Sequence, residues 1–144
     1  MQPRLTFFNM IEVVAAVIEL NGELLAFQRG QSKFEYISNK FEFPGGKVER
    51  DEDHKLALSR ELKEELALET DIHEHIVTVD HTYPDFSIRM HCFLVKLGNF
   101  NGQLNEHISY ANVSLGDADA LDWVEADRPV LRILKDQMSH VFKE

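Results

Sequence analysis

Residues Gly46 to Leu68 read GKVERDEDHKLALSRELKEELAL, and this stretch decides the fold. A glycine is followed by Glu52, then by the pairs Arg60-Glu61 and Glu64-Glu65. Leu58, Leu62 and Leu66 recur at helical spacing, which predicts a helix over Leu56 to Leu66 with one buried leucine stripe. On that helix Glu61, Glu64 and Glu65 stand at i, i+3 and i+4 and share the face opposite the leucines. Carboxylates aligned in this way repel. One explanation is a solvated glutamate-rich face balanced by Arg60 and Lys63. The other is a hard divalent cation, since magnesium takes oxygen ligands and joins a few carboxylates to substrate phosphates. Asp51 or Asp53 is placed to cap the helix.

The wider spacing favours the cation. Gly46, Glu52, Arg60, Glu61, Leu62, Glu64, Glu65 and Leu68 follow the pattern G-x5-E-x7-R-E-U-x-E-E-x-G-U, where U is a bulky aliphatic. One position departs, with Ala67 where the pattern has its last glycine. The chain thereby resembles the Nudix hydrolases, and the MutT-like nucleoside-triphosphate pyrophosphatases in particular. The resemblance implies one domain over residues 1–144, with the Nudix box at 46–68. It also implies an α/β fold: an α/β/α sandwich with a mixed β-sheet between helices.

For the site, the resemblance implies a metal held by Glu61, Glu64, Glu65 and the backbone carbonyl of Gly45, with Mg2+ as the cofactor and Mn2+ as its substitute. One or more of these glutamates would also hold or deprotonate the attacking water. Arg60 is expected to orient the ligand set through Glu61 or Glu52, and Glu52 to support the loop. Lys47 is either a phosphate contact or a surface lysine. Glu106, in LNEHISY, lies where MutT-like enzymes carry an acid on a loop near the catalytic water; an ordinary solvated loop acid is the alternative. Phe43 and Asp127 fall where these enzymes read the base, Phe43 by packing and Asp127 by hydrogen bonding. An ionised Asp only accepts and, unless it is protonated, suits a cytosine amino group, whereas an Asn suits a purine such as 8-oxoguanine. Asp127, directly ahead of Arg128-Pro129, is equally placed as a helix cap. Arg29 is a phosphate or base contact, or an exposed strand-end arginine.

The two departures bear on backbone rather than on chemistry. Ala67 at a helix exit with positive φ costs on the order of 1 kcal/mol relative to glycine. Asp51 replaces a glycine frequent in the related loop.

Composition narrows the partners. The 144 residues carry a formal charge of −10, which disfavours a nucleic acid polymer but not a metal-bound free nucleotide. No apolar run reaches membrane-spanning length, and the start of the chain lacks a signal-peptide pattern. The single cysteine, Cys92, fits a reducing cytoplasm and reads as a packing thiol. Zinc is poorly supported, because the seven histidines keep no metal-ligand spacing; His73 and His75 read as exposed.

Along the rest of the chain, Ile11–Leu20 and Glu23–Gln28 flank Asn21-Gly22, a hairpin signal. Phe41–Phe43 reads as a strand stopped by Pro44-Gly45-Gly46. Ile72–Tyr83, Ser87–Leu97 and the short Asp122–Val124 read as strands, and 99–112 as loop. A last helix buries Val130, Ile133, Leu134, Met138 and Val141. Trp123 reads as core. Leu5, Phe7 and Phe8 suggest an edge strand or a dimer contact, so the chain is a monomer or a homodimer.

The activity expected is magnesium-dependent conversion of a nucleoside triphosphate, oxidised or otherwise non-standard (8-oxo-dGTP type), to monophosphate and pyrophosphate. The alternatives are a cytidine-nucleotide (CTP or dCTP) pyrophosphohydrolase and a hydrolase of a nucleoside diphosphate derivative, such as a dinucleoside polyphosphate or nucleotide sugar. A Nudix-fold sensor that binds a nucleotide without cleaving it is the non-enzymatic alternative. Such sensors usually lose the box glutamates, and all of them are present here.

Overall fold

Asn21 and Gly22, both at positive φ (53° and 87°), turn β1 (Met10–Leu20) back onto β2 (Glu23–Arg29) in the expected hairpin. The structure, a computed structural model, describes residues 10–142. The apolar Leu5, Phe7 and Phe8 lie outside them.

Five further strands follow: β3 (Phe41–Glu42), β4 (Gly45–Lys47), β5 (His75–Thr82), β6 (Ser87–Leu97) and β7 (His107–Val113). The helices are α1 (His54–Leu66) and α2 (Arg128–Gln137). The main path of the sheet runs β3-β2-β1-β6-β5, with β4 paired to β1 and β7 to β2. β1 and β6 run parallel in an unbroken register from Met10↔Ser87 to Leu20↔Leu97, whereas the other pairings are antiparallel.

The central strands are apolar on both faces because each face is covered. Val14, Ala16, Ile18, Leu25, Phe27, Phe93 and Val95 meet Ala57, Leu58, Leu62 and Leu66 of α1. Ala15, Val17, Leu24, Ala26, Cys92 and Leu94 meet Leu115, Trp123, Val130, Leu131 and Leu134 on the other side. This is the mixed sheet between helices that was expected. Cys92 and Trp123 are both fully buried, as read from the sequence.

Several local readings need correction. Residues 99–112 are not all loop, because β7 begins at His107. Its inward positions are His107, Ser109 and Ala111, while Ile108 and Tyr110 are exposed, so the usual apolar-in alternation is inverted. The strand expected from Ile72 starts at His75. The strand expected over Asp122–Val124 is a single bridge, Phe41↔Trp123. In α2 it is Leu131, not Ile133, that is fully covered, and the helix stops before Met138.

Candidate active site

The site forms where β1 changes partner. Ile18–Leu20 pair with β2, while Val13–Ala15 pair with β4, and the Ala16 N–H reaches the Pro44 carbonyl at 2.8 Å. The two glycines of this turn are required by contact. A Cβ on Gly45 would lie 1.9 Å from the Val14 carbonyl oxygen, and one on Gly46 would lie 2.4 Å from the Glu61 carboxylate. The backbone of β4 is therefore the floor on which α1 sets down its acids.

Asp53 starts α1 by accepting a hydrogen bond from the Leu56 N–H at 3.2 Å, and the leucine stripe turns the helix so that its acidic face meets β4. Glu61 is largely covered, and burial raises its pKa against the lowering effect of Arg60. Glu65 is pushed up to about 8, by burial first and then by the charges of Glu42 and Glu61. Its Oε1 is buried without a hydrogen-bond partner. Glu64 is more open and sits 3.4 Å from Arg60 Nη1.

Glu106 joins this group. The preceding loop caps the end of α1: the Gln103 N–H bonds to the Leu66 carbonyl at 2.7 Å, and the Asn105 N–H to the Glu65 carbonyl at 2.9 Å. The Asn105 side chain adds a bond to the Glu64 carbonyl. Anchored in this way, Glu106 shares a cleft with Glu65, Glu42, Arg29 and His107. Glu42, Glu65 and Glu106 line this cleft whereas Glu61 and Glu64 do not, and its oxygen donors, one of them buried and unpartnered, suit a hard divalent cation rather than a soft one.

Arg60 is the organiser of the box loop. Its Nε and Nη2 bond the two Glu52 oxygens, each at 2.9 Å, and Nη2 also bonds the Lys47 carbonyl at 3.0 Å. The Arg60 pair holds Glu52 at a pKa of about 2. Glu52 thus supports the loop, and the Lys47 side chain is exposed and lines neither cleft.

A second, apolar cleft shares Arg29, Glu42 and Glu65 with the acidic one and is walled by Phe43, Tyr83 and Asp127, among others. Phe43 is covered and packs on Trp123, with ring centroids 4.8 Å apart. Asp127 stands at the N-cap position of α2 but makes no capping bond; instead its Oδ2 accepts the Phe43 N–H at 2.9 Å. Burial, reinforced by Glu42, raises its pKa well above the usual carboxylate range. That shift favours the protonated form, which would donate as well as accept, whereas the ionised form only accepts.

Sequence reading missed Glu42 and His107. Glu42 accepts from Arg29 at 3.0 Å and pairs with the covered His107 Nε2 at 2.9 Å. The available signal was an acid between Phe41 and Phe43 on an otherwise apolar strand. His107 had none, since its segment read as loop. Tyr83 was also missed; its hydroxyl accepts the Ala126 N–H at 3.0 Å and fixes the approach to Asp127.

The chain is similar to known proteins over most of its length. The NUDIX domain family model matches residues 9–134. A CTP pyrophosphohydrolase of Escherichia coli (strain K12) is 38% identical over 125 residues, covering 85% of this chain and 90% of that protein. An 8-oxo-dGTP diphosphatase of the same organism is 30% identical over 115 residues, covering 80% and 88%. The solution structure of the E. coli ORF135 protein superposes with a TM-score of 0.79 at 32% identity, covering 94% of this chain and 96% of that one.

Proposed function

The chain belongs to the Nudix family of hydrolases, and we propose that it is a magnesium-dependent nucleoside-triphosphate pyrophosphohydrolase preferring a cytosine-type base. The observation that carries this reading is the junction of the two clefts. An acidic chamber lined by Glu106 and by Glu65, whose Oε1 is unpartnered, shares Arg29, Glu42 and Glu65 with an apolar slot lined by Phe43, Tyr83 and Asp127. A polyphosphate in the first and a base in the second is the simplest occupant.

Glu61, Glu64, Glu65 and the Gly45 carbonyl would hold the cation, with manganese as its substitute. Bound there, the cation would neutralise the polyphosphate and lower the pKa of a coordinated water. The remaining tasks fall to the protein. Arg60 and Glu52 keep the loop carrying Gly45-Gly46 against α1. Glu106, fixed by Asn105, faces the same chamber as a further carboxylate able to take a proton from the attacking water. Arg29, a half-exposed guanidinium between the clefts, is placed to meet phosphate. Bond cleavage between the α- and β-phosphates would release monophosphate and pyrophosphate.

Asp127 favours the base. A neutral carboxyl lining the slot can donate to cytosine N3 and accept from the N4 amino group. The named CTP pyrophosphohydrolase relative supports the same choice. An oxidised purine is the second reading, favoured by the 8-oxo-dGTP diphosphatase relative and by the same chemistry. Oxidation turns guanine N7 from an acceptor into an N–H beside O6, which a neutral carboxyl matches and which ordinary guanine lacks. The whole chain, 1–144, reads as one such domain. The lone buried Cys92 suits a cytoplasmic setting, and no helix among the described residues is long and apolar enough to cross a membrane.

The test is product analysis by liquid chromatography with magnesium and a panel of CTP, dCTP, 8-oxo-dGTP, ordinary triphosphates, dinucleoside polyphosphates and nucleotide sugars. Monophosphate and pyrophosphate from the cytidine nucleotides is the expected result. Binding without turnover would move the chain to the sensor class.

A further inference from the structure

Outside the acidic chamber, Glu12, His54 and His91 bring one carboxylate oxygen and two imidazole nitrogens to within 4.8 Å of one another. We propose that this cluster is a second metal site, selective for a zinc-class divalent cation and separate from the magnesium chamber.

The fold builds the cluster from three elements. In the parallel register Val14 faces His91 and Glu12 faces Arg89, so Glu12 and His91 are diagonal neighbours on the α1 side of the sheet. On β1 and β6 this face is apolar further along, through Ala16, Ile18, Phe93 and Val95. It turns polar at Glu12, His91 and Arg89, whose Nη1 lies 3.9 Å from Glu12 Oε2 and whose Nε bonds Asp80 at 2.9 Å, leaving Glu12 Oε1 to His91. His54, the first residue of α1, covers that end, its ring stacked on His91 with centroids 4.1 Å apart. All three side chains are partly buried.

Hydrogen bonds already orient the His91 ring, and stacking places His54 against it. His91 Nε2 lies 2.7 Å from Glu12 Oε1, while its Nδ1 lies 3.1 Å from the Thr78 hydroxyl. Thr78 is in turn 2.8 Å from His75 Nε2. Fixing one ring nitrogen through a hydroxyl commits the other to the carboxylate side, where a cation would sit. Two imidazoles and one carboxylate suit zinc and its neighbours in the first transition row, whereas magnesium prefers an all-oxygen set. Three protein ligands leave a fourth position for water.

The site is distinct from the chamber. His54 and Glu61 are seven residues apart on one helix, roughly 10 Å along its axis, and no ligand is shared. A cation here would tie β1, β6 and the start of α1 together, stabilising the fold rather than performing hydrolysis.

The experiment is zinc titration of the full chain in saturating magnesium, which keeps the carboxylate chamber occupied. The expected result is one equivalent of bound zinc and a raised melting temperature. His54→Ala and His91→Ala each abolish the binding, with magnesium-dependent turnover unchanged, and Thr78→Val weakens it about tenfold. In wild-type protein, zinc should shift the imidazole resonances of His54 and His91 but not those of His140, a readout that needs no variant to fold. The proposal is overturned if zinc leaves those two rings unshifted, or if binding persists in the folded double variant.

Discussion

Arg60 and Glu52 meet edge to edge, Nε to Oε2 and Nη2 to Oε1, both at 2.9 Å. The pair joins α1 to the loop that leaves β4, and Arg60 is the one cation within reach of both Glu61 and Glu64 among the described residues. Lysine keeps the charge but cannot span two carboxylate oxygens and the Lys47 carbonyl at once. Arg60→Lys is therefore expected to reduce turnover about 10- to 100-fold and to raise the magnesium concentration needed for half-maximal rate. Steady-state kinetics across a magnesium series checks this. Unaltered magnesium dependence would remove Arg60 from the ligand-orienting role.

Asp127 gives an unusually discriminating substitution. With Oδ2 taking the Phe43 N–H, a neutral Asp127 presents a hydroxyl on its other oxygen. Asparagine in the same pose presents an amide N–H at that point, and it keeps the acceptor. Asp127→Asn should thus retain kcat/KM for the preferred nucleotide within a few-fold at neutral pH, whereas Asp127→Ala should lose about 10- to 100-fold. The ratio of wild type to the Asn variant should fall as pH rises, because deprotonation removes the wild-type donor and leaves the amide unchanged. Equal losses in Asn and Ala would contradict a neutral carboxyl.

Glu65 predicts how metal and pH interact. Its folded pKa of about 8 stands above the ordinary value of 4.5, so the protonated form is the one the metal-free fold prefers. That stability is fully present below about 4.5 and is lost as pH climbs through about 8. Magnesium should oppose the loss by replacing the proton, raising the melting temperature more at pH 8 than at pH 5 and releasing protons on binding. Glu65→Gln should flatten the pH dependence of the metal-free protein, spare the fold and abolish turnover. Calorimetry of metal-free and magnesium-loaded protein at the two pH values is decisive. A magnesium effect independent of pH would exclude Glu65 as a ligand.

The elements legible in the sequence were those whose residues answer to a single demand. The α1 stripe of Leu58, Leu62 and Leu66 and the Asn21-Gly22 turn each follow from local geometry, and both stand where expected. β7 was illegible because it places His107 and Ser109 inward, where they bond Glu42 and Gln28, and leaves Ile108 and Tyr110 outside. Its pattern is set by partners more than 60 residues away. Glu42 was overlooked for the same reason, since its partners Arg29 and His107 come from two other strands. The box glutamates were readable because they lie on one helix. The placement of Asp127 beside Phe43 was readable only through the family resemblance, as it depends on the start of α2 meeting the end of β3.

Ala67 keeps the left-handed conformation of the glycine it replaces, at φ 52° and ψ 38°. The exit is held by the Ala67 N–H to the Lys63 carbonyl at 3.0 Å and by the Leu68 N–H to the Leu62 carbonyl at 3.2 Å, with Leu68 buried beyond it. These bonds and the packing of Leu68 fix the backbone, so the alanine Cβ is strained in place rather than relieved by a change of path. Ala67→Gly removes that strain but adds freedom to the unfolded chain, and the two effects oppose each other. At positive φ the strain of roughly 1–2 kcal/mol is the larger. The variant should therefore gain up to about 1 kcal/mol in denaturant unfolding with an unchanged slope and unchanged turnover. A loss of stability would mean that the exit is not strained by alanine, and that unfolded-state entropy decides this position.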